Sequence, residues 1–189
     1  MAYRIIEYIE DGHSPFAEWF NRLDPVMAAR INRYVRRLEA GNFGAAKFLC
    51  SGVFELRMDF GPGYRVYYGR DGKDTNSQEE NKNMALTRKY KKTVMERIKR
   101  DPRFAKALYT EAVNAILEGE TGEGLSMLRD LIHAEITFPE LARQTGFNEK
   151  SLHRMLSRRG NPTTRTFAVI IRAMSQDLKV APKVKFAVA

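Results

Sequence analysis

FPELARQTGFNEKSLHRMLSRRGNP, residues 138–162, holds two short helical segments on either side of Thr145-Gly146-Phe147. Gly146 supplies the positive φ that a tight turn between helices requires. Small Ala142 lets the two helices approach, and Leu141, Phe147, Leu152 and Met155 fall where apolar side chains lock the angle between them. Thr145 departs from this pattern, because such motifs usually bury an aliphatic side chain there. Asn148 is placed to cap the second helix. With Leu152, Met155 and Leu156 turned inward, the opposite surface presents Glu149, Lys150, Ser151, His153 and Arg154, with Arg158 just beyond. These side chains suit base edges and phosphates, so Asn148, Glu149, Lys150, Ser151, His153, Arg154 and Arg158 form the expected DNA-binding set of a recognition helix. The bland alternative is an amphipathic helix pair whose His153 and Arg154 are merely solvated.

Moving towards the N-terminus, the periodicity predicts helices over 90–99, 102–118 and 123–136. Phe104, Leu108, Ala112, Ala115 and Ile116 form the apolar stripe of the middle one. Pro102 follows Asp101 as a helix start, and Gly119 ends that helix. No segment of comparable β character occurs in this half, which therefore reads as all-α. Its charge agrees with a polyanionic partner: residues 84–189 carry 20 Lys and Arg against 11 Asp and Glu, whereas residues 1–83 carry 12 of each. The whole net charge of +9 thus belongs to the second half.

The stretch 71–83, DGKDTNSQEENKN, has no aliphatic or aromatic residue and reads as a solvated linker. Met84 opens a new compositional regime, like the start of a formerly separate polypeptide. Before the linker, Tyr3 to Ile9 is a β-type run, and helices are predicted over 15–21 and 25–40 with Ser14 and Asp24 as N-caps ahead of Pro15 and Pro25. Ile31, Tyr34, Val35 and Leu38 mark the inner face of the second helix. Arg30, Arg33, Arg36 and Arg37 are expected on its remaining face. Next, VFELRMDF and YRVYYG flank Gly61-Pro62-Gly63 as a hairpin. A three-residue loop pairs Phe60 with Tyr64, Arg57 with Tyr67 and Asp59 with Arg65. Phe54, Leu56, Met58, Phe60, Tyr64, Val66 and Tyr68 then share one face, and Arg57, Asp59, Arg65 and Tyr67 the other. The resulting division is an α+β domain over 1–71, a linker over 72–88, an all-α domain over 89–181 and a tail over 182–189.

From about residue 90 to 180 the chain resembles the HigA-type antitoxins, addiction-module antidote proteins of the Cro/C1-like DNA-binding group. DPRFAKALYTEAVNAILEGE, LARQTGFNEKSLHRMLS and RRGNPTTRTFAVIIRAMSQDLKV carry the likeness. The resemblance implies a homodimer that binds double-stranded operator DNA, represses its own operon and neutralises a cognate toxin. The first half, through YRIIEYI, SPFAEWFNRLDP and GVFELRMDFGPGYRVYYGRDG, is similar to the HigB-like branch of RelE-type toxins, which are ribosome-dependent mRNA endonucleases. That resemblance implies two helices on a small antiparallel sheet, with Arg57 and Arg65 gripping the scissile phosphate and Tyr67 beside them as a catalytic candidate. On the residues alone, a cross-strand ion pair of Arg65 with Asp59 and a packing contact of Tyr67 with Arg57 explain them equally well. Such toxins continue after the hairpin into a further apolar strand, a turn and a terminal helix. Here the chain runs into DTNSQEENKN instead, so the toxin-like sheet is expected to be incomplete.

The expected function is accordingly a toxin–antitoxin protein: an operator-binding, autorepressing antitoxin-like domain fused to a toxin-like domain that lacks nuclease activity. The toxin it neutralises is the domain in cis or a cognate toxin in trans. The alternative is a self-inhibited ribosome-dependent mRNA endonuclease, with ribosomes and mRNA as partners. No cofactor is expected, and with a single cysteine, Cys50, and histidines only at 13, 133 and 153, no metal site either. The N-terminus carries Glu7, Glu10 and Asp11 and reads as no secretory signal, which places the chain in the cytoplasm without a membrane partner.

Overall fold

The computed structural model describes residues 3–70 and 87–181. It is a mixed assembly of helices and strands, with eight α-helices and a three-stranded antiparallel sheet among the described residues. The chain forms two compact units, Met1–Val94 and Met95–Ala189.

In the first unit β1 (Ile6–Tyr8) leads into α1 (Pro15–Arg22) and α2 (Pro25–Glu39). Both helix starts follow from their cap-proline pairs. Ser14 Oγ accepts from the Ala17 N–H at 3.0 Å and donates to Glu7 Oε2 at 2.7 Å, while Asp24 Oδ1 accepts from the Val26 and Met27 N–H groups. Ile31, Val35 and Leu38 are buried as their spacing predicts. Arg33 and Arg36 are buried as well, which corrects their expected place on an outer face. In a small unit this helix is covered on more than one side, and Arg36 is tolerated inside because it pairs with Glu39 Oε2 at 2.7 Å.

The sheet is β2 (Ala46–Cys50), β3 (Val53–Met58) and β4 (Tyr64–Gly69), in that order and antiparallel. Ser51 and Gly52, both at positive φ, make the two-residue turn between β2 and β3. The β3–β4 register pairs Arg57 with Arg65 and Glu55 with Tyr67, correcting the expected pairs of Arg57 with Tyr67 and Asp59 with Arg65. The cause is Phe60. Its ring is buried against Tyr34, Tyr64 and the Arg30 guanidinium, so Asp59 to Gly63 form a longer loop than three residues. The apolar face of the hairpin is as expected, since a shift of two residues preserves alternation.

Thr87–Lys89 form β5, which pairs antiparallel with β1, Ile6 opposite Lys89 and Tyr8 opposite Thr87. The expected linker over 72–88 therefore ends earlier; most of it, 72–86, lies outside the described residues. Directly after β5 begins α3 (Tyr90–Arg100). Tyr90 is buried in the first unit: its ring meets Phe16 and Phe20 edge-on and its hydroxyl donates to Asn32 Oδ1 at 2.6 Å. The division between units falls within α3, later than the expected 89.

The second unit continues with α4 (Pro102–Leu117), α5 (Thr121–Leu131), a π-helical extension (Ile132–Ile136), α6 (Phe138–Thr145), α7 (Glu149–Met155) and α8 (Thr164–Asp177). Phe104, Leu108, Ala112 and Ala115 of α4 are buried as predicted, and Ile116 is half-buried. Leu125, Leu128, Leu141, Leu152 and Ile170 are buried in the same unit. Gly124 is the contact point of α4 and α5: a Cβ there would run into Ile116 Cγ1 and lie 2.6 Å from the Ala112 carbonyl oxygen. Tyr109 links α4 to α8 through Ser175 Oγ at 2.7 Å, and burial raises its pKa. The tail over 182–189 lies outside the described residues.

Candidate nucleic-acid interface

Two surfaces carry the residues with binding chemistry, one in each unit. In the first, strand alternation and register place Lys47, Glu55, Arg57, Arg65 and Tyr67 on one face of the three-stranded sheet. The expected trio of Arg57, Arg65 and Tyr67 is brought together, but around a residue absent from that expectation. Glu55 Oε2 accepts from Arg57 Nε at 2.5 Å, and Glu55 Oε1 lies 3.2 Å from Arg65 Nε and 3.5 Å from the Tyr67 hydroxyl. The side chain of Glu55 is 7% exposed, against 46% for Arg57 and 62% for Arg65. The Arg57 hydrogen bond holds the Glu55 carboxyl below the usual glutamate range against the opposing effect of burial, and Glu55 in turn raises Arg57. Lys47 stands directly across from Glu55, exposed and without a partner among the described residues. Alternation from Arg57 points to Glu55 in the sequence, and the Ser51-Gly52 turn signal points to β2 and so to Lys47.

In the second unit α6 and α7 are joined as the glycine predicts. Gly146 has φ of 71° and its N–H donates to the Ala142 carbonyl at 2.9 Å. Thr145 fits because both functions of its hydroxyl are used: Oγ1 donates to the Leu141 carbonyl at 2.7 Å and accepts from the Phe147 N–H at 3.4 Å. Leu141, Leu152 and Leu156 are fully buried, and Phe147 and Met155 half-buried.

The seven expected DNA-binding residues divide into two groups. Asn148, Ser151, His153 and Arg158 have internal roles or partial cover. Asn148 Oδ1 caps α7 through the Lys150 N–H at 2.9 Å, and Ser151 is half-buried. His153 stacks on Phe138 with centroids 3.7 Å apart, its Nδ1 lies 3.3 Å from Arg129 Nη2, and its carbonyl accepts from Arg129 Nη1 at 3.0 Å. Arg158 Nη2 lies 3.5 Å from Glu123 Oε1. Glu149, Lys150 and Arg154 are exposed, and Glu149 reaches His153 Nε2 at 3.5 Å. Lys150 and Arg154 have no partner among the described residues. Arg159, which the sequence reading passed over, is exposed in the same way.

No family model matches the chain. No solved structure matches it either. Over 53 residues, 28% of this chain, it is 49% identical to an uncharacterized protein of Haemophilus influenzae. That match spans about half of the relative, 54% of its length. Among the described residues no helix is long and apolar enough to cross a membrane, and no group of His, Cys, Asp and Glu is placed to hold a metal ion.

Proposed function

We propose that the second unit is a HigA-like, Cro/C1-type antitoxin domain that binds operator duplex DNA through α7, and that the first is a RelE-like toxin domain without nuclease activity. The observation that carries the DNA reading is the division of labour on α7. Leu152 is locked into the core while Lys150 and Arg154, unpartnered, face solvent. A helix held on one side by packing and by Arg129, with free cations on the other, is suited to enter a major groove. Autorepression of its own operon and neutralisation of a toxin, in cis or in trans, belong to the same reading. For the first unit, the absence of nuclease activity is supported by Glu55, which already engages both candidate catalytic arginines. His13, the sole histidine before residue 133, stands between β1 and α1 beside Glu18.

The test is binding of the full chain to duplexes enriched from a random pool, with Lys150→Ala and Arg154→Ala. A side chain that reads a base costs about 1–3 kcal/mol on its enriched site and less on random duplex. Equal loss on both would reduce α7 to phosphate contacts, and no binding at low salt would remove the DNA reading.

A further inference from the structure

Arg57 and Arg65 are direct cross-strand partners, an arrangement of like charges that disfavours the β3–β4 pairing unless an anion lies between them. The anion is supplied from within the same face. Glu55 sits one pleat along β3 from Arg57, opposite Tyr67, and spends one carboxylate oxygen on each guanidinium Nε. It is buried although its arginine partners are well exposed, so its charge has left water and depends on them.

The arginines are less completely satisfied than Glu55 is. Arg57 gives it only the Nε–H, Arg65 is held by the 3.2 Å ion pair without a hydrogen bond, and the Nη groups of both make no hydrogen bond among the described residues. Lys47, across β2 from Glu55, adds a third cation with no counter-ion. Glu55, with Asp59 acting on Arg57 from the end of β3, supplies two carboxylates against three cations, so the face keeps a net positive charge and several free N–H donors arranged around an occupied centre. A phosphate group matches this demand better than a second carboxylate. It brings more charge and three or more acceptor oxygens, and guanidinium Nη groups bind it in forked fashion.

We propose that Glu55 is a resident counter-anion that occupies the paired arginines and holds this sheet face as a self-occupied, low-affinity phosphate site. The ligand class is a phosphate group, free or on a nucleic-acid backbone. Glu55 acts through the arginines as a positioning residue: it fixes both guanidinium planes while its charge repels the incoming anion. This inference rests on reading the sheet face as one that grips phosphate. It does not require RNA cleavage or DNA binding by the second unit.

The experiment uses the full chain carrying Lys150→Ala and Arg154→Ala, so that α7 contributes little to anion binding. Into it are placed Glu55→Gln, Glu55→Asp and the pair Glu55→Gln with Arg65→Ala. Affinities for pyrophosphate and for a labelled single-stranded RNA are measured at low salt. Glu55→Gln keeps the shape and removes the charge, and should tighten binding about tenfold, an effect that added salt erodes. Glu55→Asp keeps the charge and should stay close to the parent, and Arg65→Ala should abolish the gain. A gain with RNA alone identifies the backbone as the source; a gain with both identifies phosphate in general. Trp19 fluorescence reports whether each variant retains the folded first unit. A folded Glu55→Gln chain that binds no more tightly overturns the role of Glu55 alone. Equal tightening by Glu55→Asp also overturns it, since loosening rather than charge would then be the cause. Absence of binding by every variant removes the phosphate reading of the face together with it.

Discussion

Replacing Tyr90 tests where the first unit ends. Tyr90 is 1% exposed, and its hydroxyl is the hydrogen-bond donor to the side-chain oxygen of Asn32, which is itself 0% exposed. Tyr90→Phe removes the donor and leaves that oxygen buried without it, a loss of about 1–3 kcal/mol. Tyr90→Ala also removes a ring that meets Phe16 at 5.6 Å and Phe20 at 6.3 Å and lies 5.7 Å from the Arg36 guanidinium. Aromatic deletions of this kind cost about 3–5 kcal/mol. The chain offers a clean reporter, because its one tryptophan, Trp19, lies in the first unit and touches Phe16 and Tyr64. Denaturant unfolding followed by Trp19 fluorescence should shift to lower midpoint in both variants, Tyr90→Ala the more. Far-ultraviolet circular dichroism, whose amplitude comes mostly from the helices of the second unit and in lesser part from α1 and α2, should keep the midpoint of its larger component. Treating each unit as one cooperative transition is what licenses the comparison. A shift confined to the dichroism signal, or an unmoved Trp19 transition in Tyr90→Phe, would refute the placement of Tyr90 in the first core.

Two further outcomes are expected. Gly124→Ala, which in an open helix gains about 1 kcal/mol, should here destabilise the second unit by about 1–3 kcal/mol, because the new Cβ meets Ile116 and the Ala112 carbonyl; a raised melting temperature by circular dichroism would contradict the packing of α4 on α5. The lowered pKa of Glu55 makes its contribution to the first unit complete above the ordinary glutamate range and lost as pH falls through the lowered folded value, so Trp19-detected stability should decline on acidification below that range and decline less in Glu55→Gln. A pH profile unchanged by Glu55→Gln would show that the arginines derive no folding stability from it.

Local chemistry made much of this architecture readable. Ser14-Pro15, Asp24-Pro25 and Asp101-Pro102 each carry a cap and a preset φ in adjacent residues, so the helix starts required no tertiary information. Gly146 was legible for the same reason. The hairpin register was not, because it depends on where Phe60 finds cover, and Tyr34 and Arg30 that cover it lie on another element. Burial of Arg33 and Arg36 likewise depends on what packs around α2, which helical periodicity does not contain. Within the candidate sites, outward-facing positions on α7 followed from spacing, but the ties of His153 to Phe138 and Arg129 are long-range. Glu55 stood in plain view, two residues from Arg57; only the mistaken partner Asp59 obscured it.

The position of β5 and Tyr90 bears on how the two halves can be taken apart. Both lie beyond Met84, the residue that reads as the start of a second polypeptide, yet both complete the first unit. A gene split at that methionine would hand the strand beside β1 and the tyrosine under α1 to the other product. The first product would then be finished only by strand donation from the second, so that folding and recognition between the two would be one event.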